Sequence, residues 1–409
     1  MELYRRERYL QKIRAFYHDE GIIKVITGVR RCGKSCLMQT IAEELRESGV
    51  AGENIVYLDL DRRGYRSIKT PDALERLIDS RIPASGRVYL FIDEVQNVEG
   101  YEELVNGYRT DGGFSIFLTG SNSYLLSGEL ATKLTGRYLE FELFTLDFAE
   151  YLGMKRMLGK PIDANRDAEF TDYILAGGFP KAVEYDELAD KRTYVRGVIQ
   201  EIFEKDIRKN RKIRHVSVFN AVRDYLINNF GATTSVGNLL EHFNKVEGVT
   251  IGRETLNRYV QILVDAKILY PCGRFDAKSR KSLLGEQKYY LADLGFYFAL
   301  NTDNRINYGP VLENIVFQYA RSRGYAVSVG RIGALECDFV LRDAALDYAY
   351  VQVAMTIADK DTENREYRAL EKIRDAYPKY VMTLDRLLQR RNGVRHVNLV
   401  DFMAEERLF

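Results

Sequence analysis

The sequence predicts an α/β fold in several units. A parallel sheet covered on both faces is built around a glycine-rich loop; a helical segment, a winged helix-turn-helix and a small C-terminal α/β unit follow. Three observations carry this expectation. The 409 residues exceed the roughly 250 to 300 at which a single core stops growing. Short β-branched runs alternate with helical stretches in the first part, the pattern of parallel strands joined by crossover helices. The first strand-to-helix junction carries a glycine-rich string that ends in Lys34 and Ser35.

Taken in order, Leu3 to Tyr17 places Tyr4, Leu10, Ile13 and Phe16 or Tyr17 at near-helical spacing between arginines, which predicts an amphipathic helix. Ile22 to Thr27 is a β-branched strand that stops at Gly28, and apolar residues recur at helical spacing from Ser35 to Glu47. Further strands are predicted at Asn54 to Leu60, Arg87 to Ile92 and Ser115 to Thr119, with helices at Asp72 to Ser80 and Glu102 to Asp111. The turn-rich AGGFP at Ala176 to Pro180 marks an expected change of unit. From Lys191 to Arg214 the chain is helical and rich in basic residues, giving one positive face. Three helical stretches then precede strands at Ile268 to Phe275 and Gln287 to Leu291, around a basic tip of Lys278, Arg280 and Lys281. That order suggests a winged helix-turn-helix. The last hundred residues predict helices near Pro310 to Arg323 and Glu363 to Tyr377. Strands are predicted there at Leu335 to Leu341, Tyr348 to Met355 and Tyr380 to Thr383. The expected units are therefore 1–160, 161–214, 215–300 and 301–409.

Composition narrows the function classes. Sixty Lys plus Arg against 59 Asp plus Glu give a net charge of +1, so a polyanion would have to be met by local basic patches. The charged N-terminus and the lack of a long apolar run predict a cytoplasmic chain with no membrane span. Cys32, Cys36, Cys272 and Cys337 form no CxxC pair, and His numbers four, which argues against a structural zinc site.

Residues 28–35, Gly-Val-Arg-Arg-Cys-Gly-Lys-Ser, match G-x-x-x-x-G-K-[ST]. In such a loop backbone amides cradle phosphates, the lysine reaches the terminal phosphates and the hydroxyl binds Mg²⁺. Gly28, Arg30, Arg31, Cys32, Gly33, Lys34, Ser35 and Cys36 are the expected cradle, with Ser35 also a metal ligand. Tyr89 to Glu94 is a buried-type strand ending in two carboxylates. Asp93 is expected to face the Mg²⁺, and Glu94 to orient or deprotonate water. Ser121 and Asn122 follow a third strand, as a group bonding the water or phosphate or as an ordinary helix cap. Arg137 follows Gly136, as a phosphate-sensing finger or a solvated arginine.

The runs IIKVITGVRRCGKS, YLFIDEVQ, FLTGSNSYLL and LTGRYLEFEL followed by FAEY resemble the prokaryotic AAA+ type ATPases that carry a C-terminal domain of unknown function. The resemblance implies a P-loop NTPase domain that binds ATP with Mg²⁺. It also implies a Walker A pair in Lys34 and Ser35, a Walker B pair in Asp93 and Glu94, a sensor in Asn122 or Ser121, and an arginine finger in Arg137. The C-terminal region of such proteins is similar to a winged helix joined to a PD-(D/E)XK nuclease-like fold.

The C-terminal residues test that implication. Glu336 and Asp338 alternate along one strand and share a face, and Glu313 can join them. The next strand should add an acid and then a lysine two residues on; it offers Gln352 and Ala354, leaving Lys360 or Lys372 as displaced substitutes. A degenerate nuclease fold, an active nuclease and an unrelated α/β tail all remain open. Arg253, Asn257, Arg258 and Gln261 lie on the exposed side of the expected recognition helix and suit phosphates and base edges. The expected function is an Mg²⁺-dependent ATPase, as a homo-oligomer, whose nucleotide state controls a region contacting double-stranded DNA. A nucleotide-gated switch on a protein partner and an ATP-regulated nuclease are the alternatives.

Overall fold

The computed structural model describes residues 3–120, 134, 136–208, 213, 215–245, 250–301 and 306–409, and the side chains of all of these except Arg208 and Leu284. The chain divides into two compact units: Met1–Phe144 with Asp265–Lys267, and Thr145–Val264 with Ile268–Phe409. The first division thus falls at Phe144, earlier than the expected 160. The reason is local: Asp147 accepts from the Glu150 N–H in a capping box that starts a helix at Phe148, and that helix packs within the second unit.

In the first unit, helix α1 (Glu7–Arg14) is shorter than expected and buries Tyr9, Leu10 and Ile13. It is followed by β1 (Ile23–Thr27), α2 (Lys34–Glu47), β2 (Ile55–Asp59), α3 (Pro71–Asp79), β3 (Val88–Asp93), α4 (Tyr101–Asp111), β4 (Phe114–Thr119) and β5 (Tyr138–Glu142). The strand order is β2-β3-β4-β1-β5, with every pairing parallel. β1 and β3 are buried along their whole length, as apolar strands covered on both faces must be. β5 was not among the expected strands. It lies at the sheet edge and its residues are mostly half-buried, so it lacks the apolar run that marks a central strand. One face packs Leu58, Leu90, Ile92 and Leu118 against Leu74 and Val105 of the helices. On the other, register places Tyr57, Phe91, Phe117 and Lys24 in one row across four strands. The rings stack at 5.8 and 4.5 Å, and the Lys24 ammonium lies 4.6 Å from the Phe117 centroid. Lys24 is fully buried and donates to the carbonyls of Asp19 and Ile22 and to Ser115 Oγ; burial pulls its pKa down to about 7.

The second unit opens with α5 (Phe148–Met157), α6 (Arg166–Ala176), α7 (Pro180–Val183) and α8 (Leu188–Glu201). The AGGFP turn lies inside this unit and marks no change of unit. Gly178 N–H donates to Asp293 Oδ2 at 2.8 Å, and a Cβ on Gly177 would stand 2.0 Å from Asp293 Oδ1. The turn is pinned to a helix far along the chain, a constraint that turn chemistry alone does not reveal. The positive face expected after Lys191 is partly consumed: Arg196 donates to Ala299 O, Lys205 pairs with Glu201, and burial lowers the Lys191 pKa. Lys209, Arg211, Lys212 and Arg214 lie outside the described residues.

Next come α9 (Val216–Asn228), β6 (Thr233–Thr234), α10 (Val236–Lys245), α11 (Arg253–Asp265) and the hairpin β7 (Leu269–Asp276) and β8 (Lys281–Leu291). After α12 (Leu294–Leu300) follow α13 (Tyr308–Ser322), β9 (Ala326–Ile332), β10 (Leu335–Arg342), β11 (Tyr348–Val353) and α14 (Lys360–Leu370). β12 (Lys379–Thr383), β13 (Arg390–Arg391), β14 (Val394–Asn398) and α15 (Leu399–Ala404) complete the unit. These strands form one nine-stranded sheet, β13-β14-β12-β11-β10-β9-β7-β8-β6. Residue 300, an expected boundary, is therefore no boundary of the sheet. Arg274, Phe275 and Asp276 of β7 pair in parallel with Val329, Gly330 and Arg331 of β9, a long-range pairing that local periodicity does not encode. Among the described residues, no helix is long and apolar enough to cross a membrane.

Candidate functional site

The loop between β1 and α2 owes its shape to glycine. Gly28 has φ 140°, and a Cβ there would stand 2.1 Å from the Leu143 carbonyl; Gly33, with φ 108°, is the residue from which α2 departs. Arg6 braces the loop from α1, its guanidinium donating to Phe144 O at 2.6 Å and to Cys32 O at 3.4 Å. Lys34 is buried, and its Nζ donates to Gly28 O at 3.0 Å and Val29 O at 3.1 Å. The ammonium thus lies within the turn of its own loop, and Ser35 follows on the first turn of α2. Cys32 is buried; Arg31, with φ 69°, and Cys36 are exposed.

The strand ends meet beside this loop. Asp59 pairs with Asp93 in register, and Ile92 with Leu118, so Asp93 and Thr119 are neighbours at the C-terminal edge of the sheet. Thr119 Oγ donates to Asp93 Oδ1 and accepts the Glu94 N–H at 3.1 Å. Tyr57 OH reaches Asp93 Oδ2 at 3.2 Å and Ser35 O at 3.4 Å. The phenol therefore joins the Asp93 carboxylate to the backbone of Ser35. The Ser35 hydroxyl and the Asp93 carboxylate, the two expected metal ligands, are hard oxygens, which suit a Mg²⁺ ion that keeps most of its shell as water and phosphate. Glu94 has left-handed backbone, φ 57°. Its carboxylate accepts from Gln96 Nε2 at 2.5 Å and lies 4.0 Å from the Arg30 guanidinium. Burial raises the Glu94 pKa, against the opposing charges of Lys34 and Arg30.

The structure thus gathers Gly28, Arg30, Gly33, Lys34, Ser35, Asp93 and Glu94. It does not bring Arg137 to them. The Arg137 carbonyl accepts from Ile23 N–H at 2.9 Å, at the far end of β1 from the loop, about 13 Å away at ~3.3 Å per residue. Its guanidinium donates to Asn106 Oδ1 at 3.3 Å. Asn122 and Ser121 lie outside the described residues. Sequence reasoning missed Arg6 and Tyr57, since each acts through a contact distant along the chain; nothing in their local patterns marks them.

In the second unit the face that Glu336 and Asp338 were expected to share is not an open acidic surface. Asp338 is buried, accepts the Val353 N–H at 2.8 Å, and has its pKa pushed well above the carboxylate range by burial and by Glu313. A lysine is present, though at neither expected position. Lys288 of β8 is buried and pairs with Glu313 at 3.1 Å and Glu336 at 3.3 Å. Burial works against its charge, but Glu313, Asp338 and Glu336 outweigh it and raise its pKa. Lys360 is instead paired with Glu363. Among the described residues, no group of three or more His, Cys, Asp or Glu is arranged to hold a metal.

Comparison with known proteins accords with the fold. Residues 20–152 match a family model described as an AAA domain, and residues 167–306 match one described as a domain of unknown function (DUF8612). The Walker-type ATPase PABY2304 of Pyrococcus abyssi has a similar fold: TM-score 0.51, 15% identity, 73% of this chain and 96% of that one. An uncharacterized protein of Haemophilus influenzae is 34% identical over 405 residues, 98% of each chain. Uncharacterized protein MJ1544 of Methanocaldococcus jannaschii is 31% identical over 363 residues, covering 86% of this chain and 78% of its own. With the phosphate loop, the parallel sheet and that identity together, the chain belongs to the family of these two proteins and carries an AAA-type P-loop domain at its N-terminal end.

Proposed function

We propose that the chain is an Mg²⁺-dependent ATPase whose nucleotide state controls a DNA-contacting region in its second unit. The observation that carries this reading is the meeting of Lys34, Ser35, Asp93 and Glu94 at one edge of the parallel sheet. Loop amides and Lys34 would take the phosphates. Ser35 and Asp93 would hold the metal, which when bound neutralises charge on the transferring phosphoryl group. Lys34 must leave the carbonyls of Gly28 and Val29 to do this. Glu94 would orient the attacking water. Its tether to Gln96 and its closeness to Arg30 favour a second reading, a switch that hydrolyses slowly.

For DNA, the order α9-β6-α10-α11-β7-β8 supports the winged-helix reading. So does the exposure of Arg253, Asn257, Arg258 and Gln261 on α11 and of Lys278, Arg280 and Lys281 at the hairpin tip. ATPase rate with and without double-stranded DNA tests the coupling; a rate indifferent to DNA sinks it. Replacing Lys278, Arg280 and Lys281 by Ala is expected to weaken duplex binding and flatten its salt dependence by up to about 0.9 per lost contact. Unchanged affinity and slope would move this region to protein contact.

The order α13-β9-β10-β11-α14-β12, with Glu313 on α13, Asp338 on β10 and Gln352 on β11, supports a nuclease-like fold without nuclease chemistry. Lys288 already pairs with Glu313 and Glu336, and Ala354 leaves no lysine two residues after Gln352. Supercoiled plasmid incubated for hours with Mg²⁺ or Mn²⁺, with and without ATP, is expected to stay intact. Nicking by wild type that Asp338→Ala abolishes would overturn this.

A further inference from the structure

At the free edge of the nine-stranded sheet, the hairpin β13–β14 turns through Asn392 and Gly393, both with positive φ (51° and 78°). A two-residue Asn-Gly turn fixes hairpin register. That register places Arg390 directly opposite Arg395, and like charges so placed repel. Neither arginine has a carboxylate partner among the described residues. Arg395 leans on Tyr380, 3.4 Å from its hydroxyl and 5.8 Å from its ring centroid. Other arginines of the region are spent: Arg391 binds Glu371 and Glu363, and Arg407 binds Glu405. The hairpin borders a groove of about 740 Å³ whose lining includes four arginines and His396 but no acidic residue. Leu388 and Leu408, on the same groove, are 52% and 65% exposed, and the adjacent Leu387 is 91% exposed.

Charged residues on an edge strand often serve only to prevent edge-to-edge aggregation. That role is indifferent to the sign of the charge, and it does not account for a like-charge pair set in a groove without acids. A phosphate backbone would satisfy the arginines and leave the leucines uncovered. An extended peptide satisfies both and can add its own main chain to the edge. We propose that this groove receives an acidic, leucine-bearing peptide segment of a partner protein, its carboxylates on Arg390 and Arg395 and its apolar side chains over Leu388. The proposal is independent of the nucleotide site.

The test uses the full chain and a short fluorescein-labelled peptide of alternating Glu and Leu, with the Lys-for-Glu peptide and a double-stranded DNA oligomer as comparisons. The acidic peptide is expected to bind with a salt-dependent affinity. Arg390→Glu should weaken it about tenfold or more, and Leu388→Ser should also weaken it. Arg390→Glu should at the same time raise the melting temperature, because it turns a repelling cross-strand pair into an attracting one. No binding by wild type overturns the proposal. So do equal binding of the Lys peptide, displacement of the acidic peptide by DNA with Leu388→Ser without effect, and a lower melting temperature in Arg390→Glu.

Discussion

Glu94→Gln is expected to lower ATP turnover about 100-fold or more while leaving ATP bound, the scale on which a positioned general base contributes. The amide keeps the shape of the side chain and can still accept from Gln96, so the loop should hold its form. Lys34→Ala should act differently. Its buried ammonium donates to the loop carbonyls, and its removal should weaken ATP binding itself. Binding of a fluorescent ATP analogue and turnover on the same preparations separate the two. Equal ATP affinity in wild type and Lys34→Ala would sink the assignment of the loop, and undiminished turnover in Glu94→Gln that of the base.

Arg137→Ala is expected to cost roughly 10³ in turnover, the lower end of what an arginine finger supplies. Arg137 stands a strand length from its own loop, so the proposed finger would act on the site of a neighbouring subunit. Turnover per chain should therefore rise with protein concentration in wild type and stay low in Arg137→Ala. A concentration-independent rate that Arg137→Ala leaves unchanged would make Arg137 a structural residue held by Asn106.

Local pattern and long-range contact account for what the sequence did and did not disclose. Strands β1 to β4 and the loop were legible, because each of these strands is a β-branched or aromatic run closed by turn residues, and Gly28 and Gly33 supply conformations other residues resist. The edge strands β5 and β13, and β9 inside its sheet, were not: they are only partly buried and carry mixed polarity, so their periodicity is weak. At the nucleotide site the motif residues could be named from spacing. Tyr57 could not, since its hydroxyl matters only because register sets its ring beside Phe91 and its tip between Ser35 and Asp93. Asp338 shows the same limit. Alternation put it on a face with Glu336, but only the arrival of β8 explains why a lysine from elsewhere joins those acids.

The pairing of β7 with β9 has a mechanical consequence. Because the hairpin whose tip bears Lys278, Arg280 and Lys281 is hydrogen-bonded into the same sheet as the strands around Asp338, the two behave as one plate. A load applied at the tip reaches the carboxylate cluster through backbone hydrogen bonds, without passing through a linker. Cutting the gene between them would yield two fragments, each with a raw strand edge, and neither should survive as a tidy domain.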